Sequence, residues 1–134
     1  MSVEATVTIP ESHRDLLTAQ GVAVLSTVGP DALPQSTAIW YYLDGDILRL
    51  SLHRSRQKYH NLVKRPVATL FLLDPTNPYR TLEIRADVSV EDDPDSSFFE
   101  RVVRHYGQDP DNFPAPKDNR AIVTLTPRKI NVNG

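Results

Sequence analysis

Alternation of apolar and polar residues is clearest from Arg80 to Glu91, where Leu82, Ile84, Ala86, Val88 and Val90 oppose Thr81, Glu83, Arg85, Asp87, Ser89 and Glu91. A period of two places these sets on opposite faces of a β-strand, so one face belongs to a core and the other to solvent or an interface. Ile47 to His53 reads the same way, with Leu48, Leu50 and Leu52 on one face and Arg49, Ser51 and His53 on the other. Val22 to Val28 is rich in β-formers and stops at Gly29-Pro30-Asp31-Ala32, a turn signal. Leu33 to Leu43 reads as one strand running into Asp44-Gly45-Asp46, a pair-and-flank suited to a tight hairpin. Val67 to Leu73 is almost wholly apolar, as expected of a strand covered on both faces, and Asp74 to Pro78 is a turn or loop. Arg120 to Thr126 is the last strand, and Pro127 to Gly134 a short tail.

Three stretches take helical spacing instead. Pro10 suits a first helical position, and Leu16, Leu17 and Ala19 give a short helix a partial apolar face before Gly21 ends it. Ser55 is an N-cap candidate for a helix that buries Tyr59, Leu62 and Val63 and stops at Pro66. Asp93-Pro94 opens a third, with Phe98, Phe99, Val102, Val103 and Tyr106 on its apolar side up to Gly107. Gln108 to Asn119 is a Pro-rich loop, and residues 1–8 are expected to form a loose arm. Short turns and antiparallel character predict a mainly β fold: a six-stranded, closed or half-closed β-barrel with short helices, in one domain over residues 1–134. Polar strand faces on so small a barrel need cover, and a homodimer contact through the polar face of Arg80 to Glu91 is one way to supply it.

Composition narrows the functional classes. A net charge of −2 gives no global basic excess for nucleic acid, so any anion site must be local. Without cysteine there is neither disulfide nor thiol chemistry. Met1 to Pro10 carries Glu4 and no apolar core of signal-peptide length, and no run approaches about 18 apolar residues, so a cytoplasmic protein without a membrane span is expected. His13, His53, His60 and His105 share no ligand spacing with carboxylates on one element, so no metal site is expected. Glycine-rich phosphate motifs are absent, and residue order alone supports no Ser-His-Asp arrangement.

One stretch breaks a local rule. From Ser51 to Lys58 a strand passes into a helix, and Arg56 and Lys58 fall where that helix begins. A helix dipole disfavours positive charge there by roughly 0.3–1 kcal/mol per group. A solvated helix end tolerates this, whereas exposed amide N–H groups and two cations together also form an anion site.

The order of motifs resembles a known family. Leu25-Ser26-Thr27-Val28 followed by Asp31 to Gln35, then Ser51 to Asn61 with Arg56-Gln57-Lys58, then Tyr79 to Asp87, is similar to the pyridoxamine 5'-phosphate oxidase-like split β-barrels, and within them to the branch that uses the deazaflavin cofactor F420. The resemblance spans about residues 12 to 131. It implies a homodimer with cofactor sites at the subunit interface. It also implies that Arg56 and Lys58 grip the cofactor phosphate, with Ser51 and Ser55 as hydroxyl donors and Asn61 nearby. Gln35, Ser36, Thr37 and Ala38 match the strand whose backbone lies along the tricyclic ring, with Trp40 farther along it, and Tyr79 and Arg80 match the segment reaching in from the other subunit.

Two departures shape the expected chemistry. The turn Asp31-Ala32-Leu33-Pro34 lacks the family's usual glycine, and Gln57 separates cations that are contiguous in flavin mononucleotide users. The basic ending of true pyridoxamine phosphate oxidases is absent, which argues against vitamin B6 oxidation. The resemblance therefore implies an F420-dependent oxidoreductase acting on a small or medium conjugated organic substrate, with a flavin mononucleotide (FMN) enzyme or a non-catalytic cofactor-binding, storage or sensing protein as alternatives. In a redox role the cofactor carries the hydride and the protein positions it, which fits a chain with no obvious nucleophile or base. The sequence leaves open whether a following proton comes from solvent or from a hydroxyl such as that of Tyr79.

Overall fold

A computed structural model describes residues 7–19 and 21–134, so most of the expected arm lies outside the described residues. Seven strands are present among these residues, where six were expected: β1 Val22–Val28, β2 Pro34–Trp40, β3 Tyr42–Asp44, β4 Ile47–His53, β5 Val67–Asp74, β6 Asn77–Asp92 and β7 Arg120–Asn133. They form one antiparallel sheet in the order β2-β1-β5-β6-β7-β4-β3, curled until β2 approaches β4 as a split barrel. The helices are α1 Asp15–Thr18, α2 Gln57–Lys64 and α3 Ser97–His105.

The extra strand arises at Tyr41, where the expected Leu33 to Leu43 strand breaks. The Tyr41 ring is buried and its hydroxyl donates to Leu16 O at 2.6 Å, pinning α1 to the barrel. At this kink the Tyr106 hydroxyl replaces a strand neighbour, accepting from Tyr41 N at 3.1 Å and donating to Tyr41 O at 2.7 Å. Backbone polar groups leaving a ladder need such a partner, and a side chain from α3 supplies it.

Register keeps the alternating residues inside. Leu25, Leu50, Leu52, Leu70, Leu82, Ile84 and Val123 are fully buried with Leu62 of α2 in one cluster. Each such side chain contributes roughly 1.5–3 kcal/mol on full burial. The expected tail is instead the second half of β7. Ala86 pairs with Pro127 and Arg85 with Lys129, so Arg128 is the extra residue of a bulge beside a proline that has no N–H to donate. The turn after β5 is tighter than expected, with Asp74 paired directly to Asn77.

Four further expectations change. Ala68, Leu70 and Leu72 of β5 are buried, but Val67 and Phe71 are only half-buried and Leu73 is 47% exposed, so this apolar strand is covered on one face only. Helix α2 is capped by Arg56 and not by Ser55, whose hydroxyl lies 2.7 Å from His53 Nδ1. Helix α3 begins four residues after Asp93, because Asp93 caps it from a distance: its buried carboxylate accepts from Phe98 N at 3.2 Å and Phe99 N at 2.9 Å. Ala19, expected on the apolar face of the first helix, is exposed at the end of α1.

Candidate functional site

Ser51 and His53 of β4 are half-buried and Arg120 of β7 is buried, where α3 and the loop after it lie over this end of the two strands. Between these layers and the end of β2 is a cavity of about 560 Å³. Ser51, His53 and Ser55 line it from β4 and the turn beyond, Arg56 and Lys58 from the start of α2, and Ala38 and Trp40 from β2. Phe99, Val102 and Val103 of α3 and Phe113, Ala115 and Pro116 of the Pro-rich loop form an apolar wall. That loop is fastened: Ser96 Oγ donates to Lys117 O at 2.5 Å, and Lys117 Nζ reaches Asp111 at 2.7 Å and Glu100 at 3.4 Å.

The polar end is cationic. No carboxylate lines the cavity among the described residues, whereas Arg56, Lys58 and Arg120 do. Burial pulls the Lys58 amine below its usual pKa, and Arg56 and Arg120 add to the shift through like-charge repulsion. Arg120 is shifted the same way by burial and by Arg56, against an opposing pull from Asp118 and Asp93. Ser51 Oγ is buried in the wall with no hydrogen-bond partner among the described residues, and the first turn of α2 contains no acidic residue. An anion would satisfy these groups together, since it pairs with the cations and accepts from the hydroxyl.

The aromatic end is rigid. Trp40 stacks on Tyr106 with ring centroids 4.3 Å apart and planes 9° from parallel, and contacts Phe113 at 5.4 Å. The cavity thus joins an apolar, partly aromatic wall to a cationic end.

Comparison with known proteins places the fold. Residues 9–134 match the pyridoxamine 5'-phosphate oxidase family. The chain belongs to that family. A solved structure named F420 reductase is 35% identical, with a TM-score of 0.84, over 92% of this chain and 98% of its own. A conserved hypothetical protein of Mycobacterium tuberculosis is 20% identical (TM-score 0.74), over 99% of this chain and 89% of its own. General stress protein 26 of Bacillus anthracis is also 20% identical (TM-score 0.67), over 92% of each chain. These last two share the fold. No curated protein matches the chain.

Within this pyridoxamine 5'-phosphate oxidase fold the expected site residues separate into four groups. Ala38, Trp40, Ser51, Ser55, Arg56 and Lys58 meet at the cavity. Gln35, Thr37 and Asn61 stand behind it: Asn61 is buried, accepts from Gln57 Nε2 at 2.8 Å, and donates to Thr27 Oγ1 at 3.0 Å and Gln35 Oε1 at 3.3 Å. Ser36 faces outward, 2.8 Å from Ser26 Oγ. Tyr79 and Arg80 are away from the cavity of their own chain. Tyr79 is 83% exposed, and Arg80 is engaged with Asp15, Asp74 and Ser12 O at 2.5, 3.2 and 2.6 Å.

Sequence reasoning missed Arg120, Phe99, Val102 and Val103, and named no single residue of the Pro-rich loop that supplies positions 113, 115 and 116. The available signal for Arg120 was its alternation with Ala121 and Val123, which turns it away from the core. Its pairing opposite His53 is a product of the β4–β7 register.

Proposed function

We propose that this chain is an oxidoreductase that uses coenzyme F420, moving a hydride between the deazaflavin and a small or medium conjugated organic substrate. The observation that carries this reading is one cavity in which an apolar wall of Trp40, Phe99 and Phe113 meets a carboxylate-free cationic end at Arg56 and Lys58. The 35% identity to a protein named F420 reductase supports the choice of cofactor. The cofactor would supply the hydride chemistry. Arg56, Lys58 and Ser51 would hold its phosphate, and the backbone of β2 from Gln35 to Ala38 would lie along the ring.

A homodimer completes the site in this reading, with Tyr79 and Arg80 approaching the partner's cavity. The outer face of β1 and β5 supports it, since Val22 at 62% exposure, Val24 and Leu73, with the half-buried Phe71 between them, form an exposed apolar surface among the described residues. Sedimentation of the purified protein as a monomer alone would remove this part of the reading.

The test of function is binding followed by turnover. The purified protein is mixed with oxidised and reduced F420, with FMN and with haem, and fluorescence quenching is followed. F420 binding is expected, weakened at least about tenfold by Arg56→Ala with Lys58→Ala. Tight binding of FMN alone sinks the F420 assignment in favour of an FMN enzyme. Binding of F420 without turnover of any enone, quinone or tetrapyrrole makes the protein a carrier or sensor.

A further inference from the structure

Arg120 opens β7 directly after the Pro-rich loop and is 8% exposed. Its guanidinium carbon lies 4.0 Å from the centroid of the Phe99 ring, and its Nε donates to Pro116 O at 2.9 Å. No carboxylate forms an ion pair with it among the described residues, and its two terminal amino groups hold no protein acceptor. Asp93 and Asp118 attract this guanidinium only from beyond ion-pair distance, so a largely buried cation lining a carboxylate-free cavity leaves its charge open to an anion that arrives from outside. The cross-strand partner of Arg120 is His53, and both line the cavity together with Arg56 and Lys58. The partnerless Ser51 hydroxyl lies on the same face of β4 as His53.

Building on the anion reading above, we propose that Arg120 is a third cationic ligand of the anion bound by Arg56 and Lys58, and that through Pro116 it ties that anion to the loop wall carrying Phe113 and Ala115. The planar fork of a guanidinium suits two oxygens of one anion, and its edge at Nε is already committed to the loop. Ordering the guanidinium on an anion therefore orders the carbonyl of Pro116, and with it the wall that faces Trp40. Arg120 is in this sense both a binding residue and a positioning residue.

Trp40 is the sole tryptophan and touches Phe113, so its emission reports on the wall. The full chain is titrated with inorganic phosphate and, separately, with F420, following Trp40 emission and Tm. Phosphate is expected to change the emission and raise Tm. Arg120→Met should lower phosphate affinity at least about tenfold and abolish the emission change. Arg120→Lys keeps the charge without the fork and should fall between them. Parent-like phosphate affinity in Arg120→Met, or no phosphate response in the parent, overturns the proposal. If Arg120→Met does not fold, Arg120→Lys decides: affinity within about twofold of the parent with an unchanged emission response overturns it. F420 binding that survives in Arg120→Met defeats this proposal and leaves the functional reading standing. Phosphate binding lost in Arg120→Met, in a protein that does not bind F420, does the reverse.

Discussion

Lys58 Nζ donates to Thr37 Oγ1 at 3.3 Å, joining the first turn of α2 to β2 across 21 residues of sequence. One side chain therefore links the anion end of the cavity to the strand along which a planar ring would lie. Removing only the acceptor leaves the charge in place but unpositioned. Thr37→Val should weaken F420 binding about threefold, against at least about tenfold for Lys58→Ala, by fluorescence titration. Equal affinity in Thr37→Val and the parent would show that Lys58 is positioned by other contacts.

The same amine makes binding depend on alkaline pH. Burial, Arg56 and Arg120 hold the Lys58 pKa below its usual 10.5, so the folded chain releases this proton before the unfolded chain does. Between the two values the unfolded state binds more protons, and the contribution of Lys58 to the stability of the free protein rises with pH. Anion affinity moves the opposite way, falling across that window as the amine discharges. F420 titrations from about pH 8 to about pH 10.5 should show this fall in the parent and a flat profile in Lys58→Arg. A flat parent profile contradicts it.

Ser51 separates a ligand contact from a structural one. Its hydroxyl has no partner among the described residues, so Ser51→Ala should leave the stability of the free protein within about 0.5 kcal/mol of the parent while weakening F420 binding by about 1 kcal/mol. A large loss of stability would mean that the hydroxyl serves the fold.

Asp93 holds the helix that roofs the cavity. Asp93→Ala removes both acceptors of the Phe98 and Phe99 amides in a buried setting and should cost about 1–3 kcal/mol in urea unfolding, with Asp93→Asn costing less because one acceptor remains. An unchanged midpoint for Asp93→Ala would show that α3 is held by its apolar face alone.

Much of the barrel was legible along the chain because a buried strand face leaves a period of two, and Leu48, Leu50 and Leu52 or Leu82, Ile84 and Ala86 carry it without interruption. What misled were places where a distant residue replaces a local rule. Tyr41 belongs to an unbroken run of β-formers, yet the Tyr106 hydroxyl makes a kink there favourable. Pro127 signals the end of a strand, yet a bulge absorbs it and β7 continues to Asn133. The uniform apolarity of β5 predicts cover on both faces, and the described residues cover only one.

The stretch from Ser51 to Lys58 shows the same division. Its sequence determined a strand face carrying Ser51 and His53, a helix start without acidic residues, and two cations one residue apart, because each of these depends on neighbours in the chain. Only the tertiary structure decided that the cations meet a third, Arg120, brought opposite His53 by β4–β7 pairing across 67 residues and buried beneath the α3 ring of Phe99. Local chemistry is written in adjacent residues, whereas a cavity is made by surfaces that register and packing bring together from far apart.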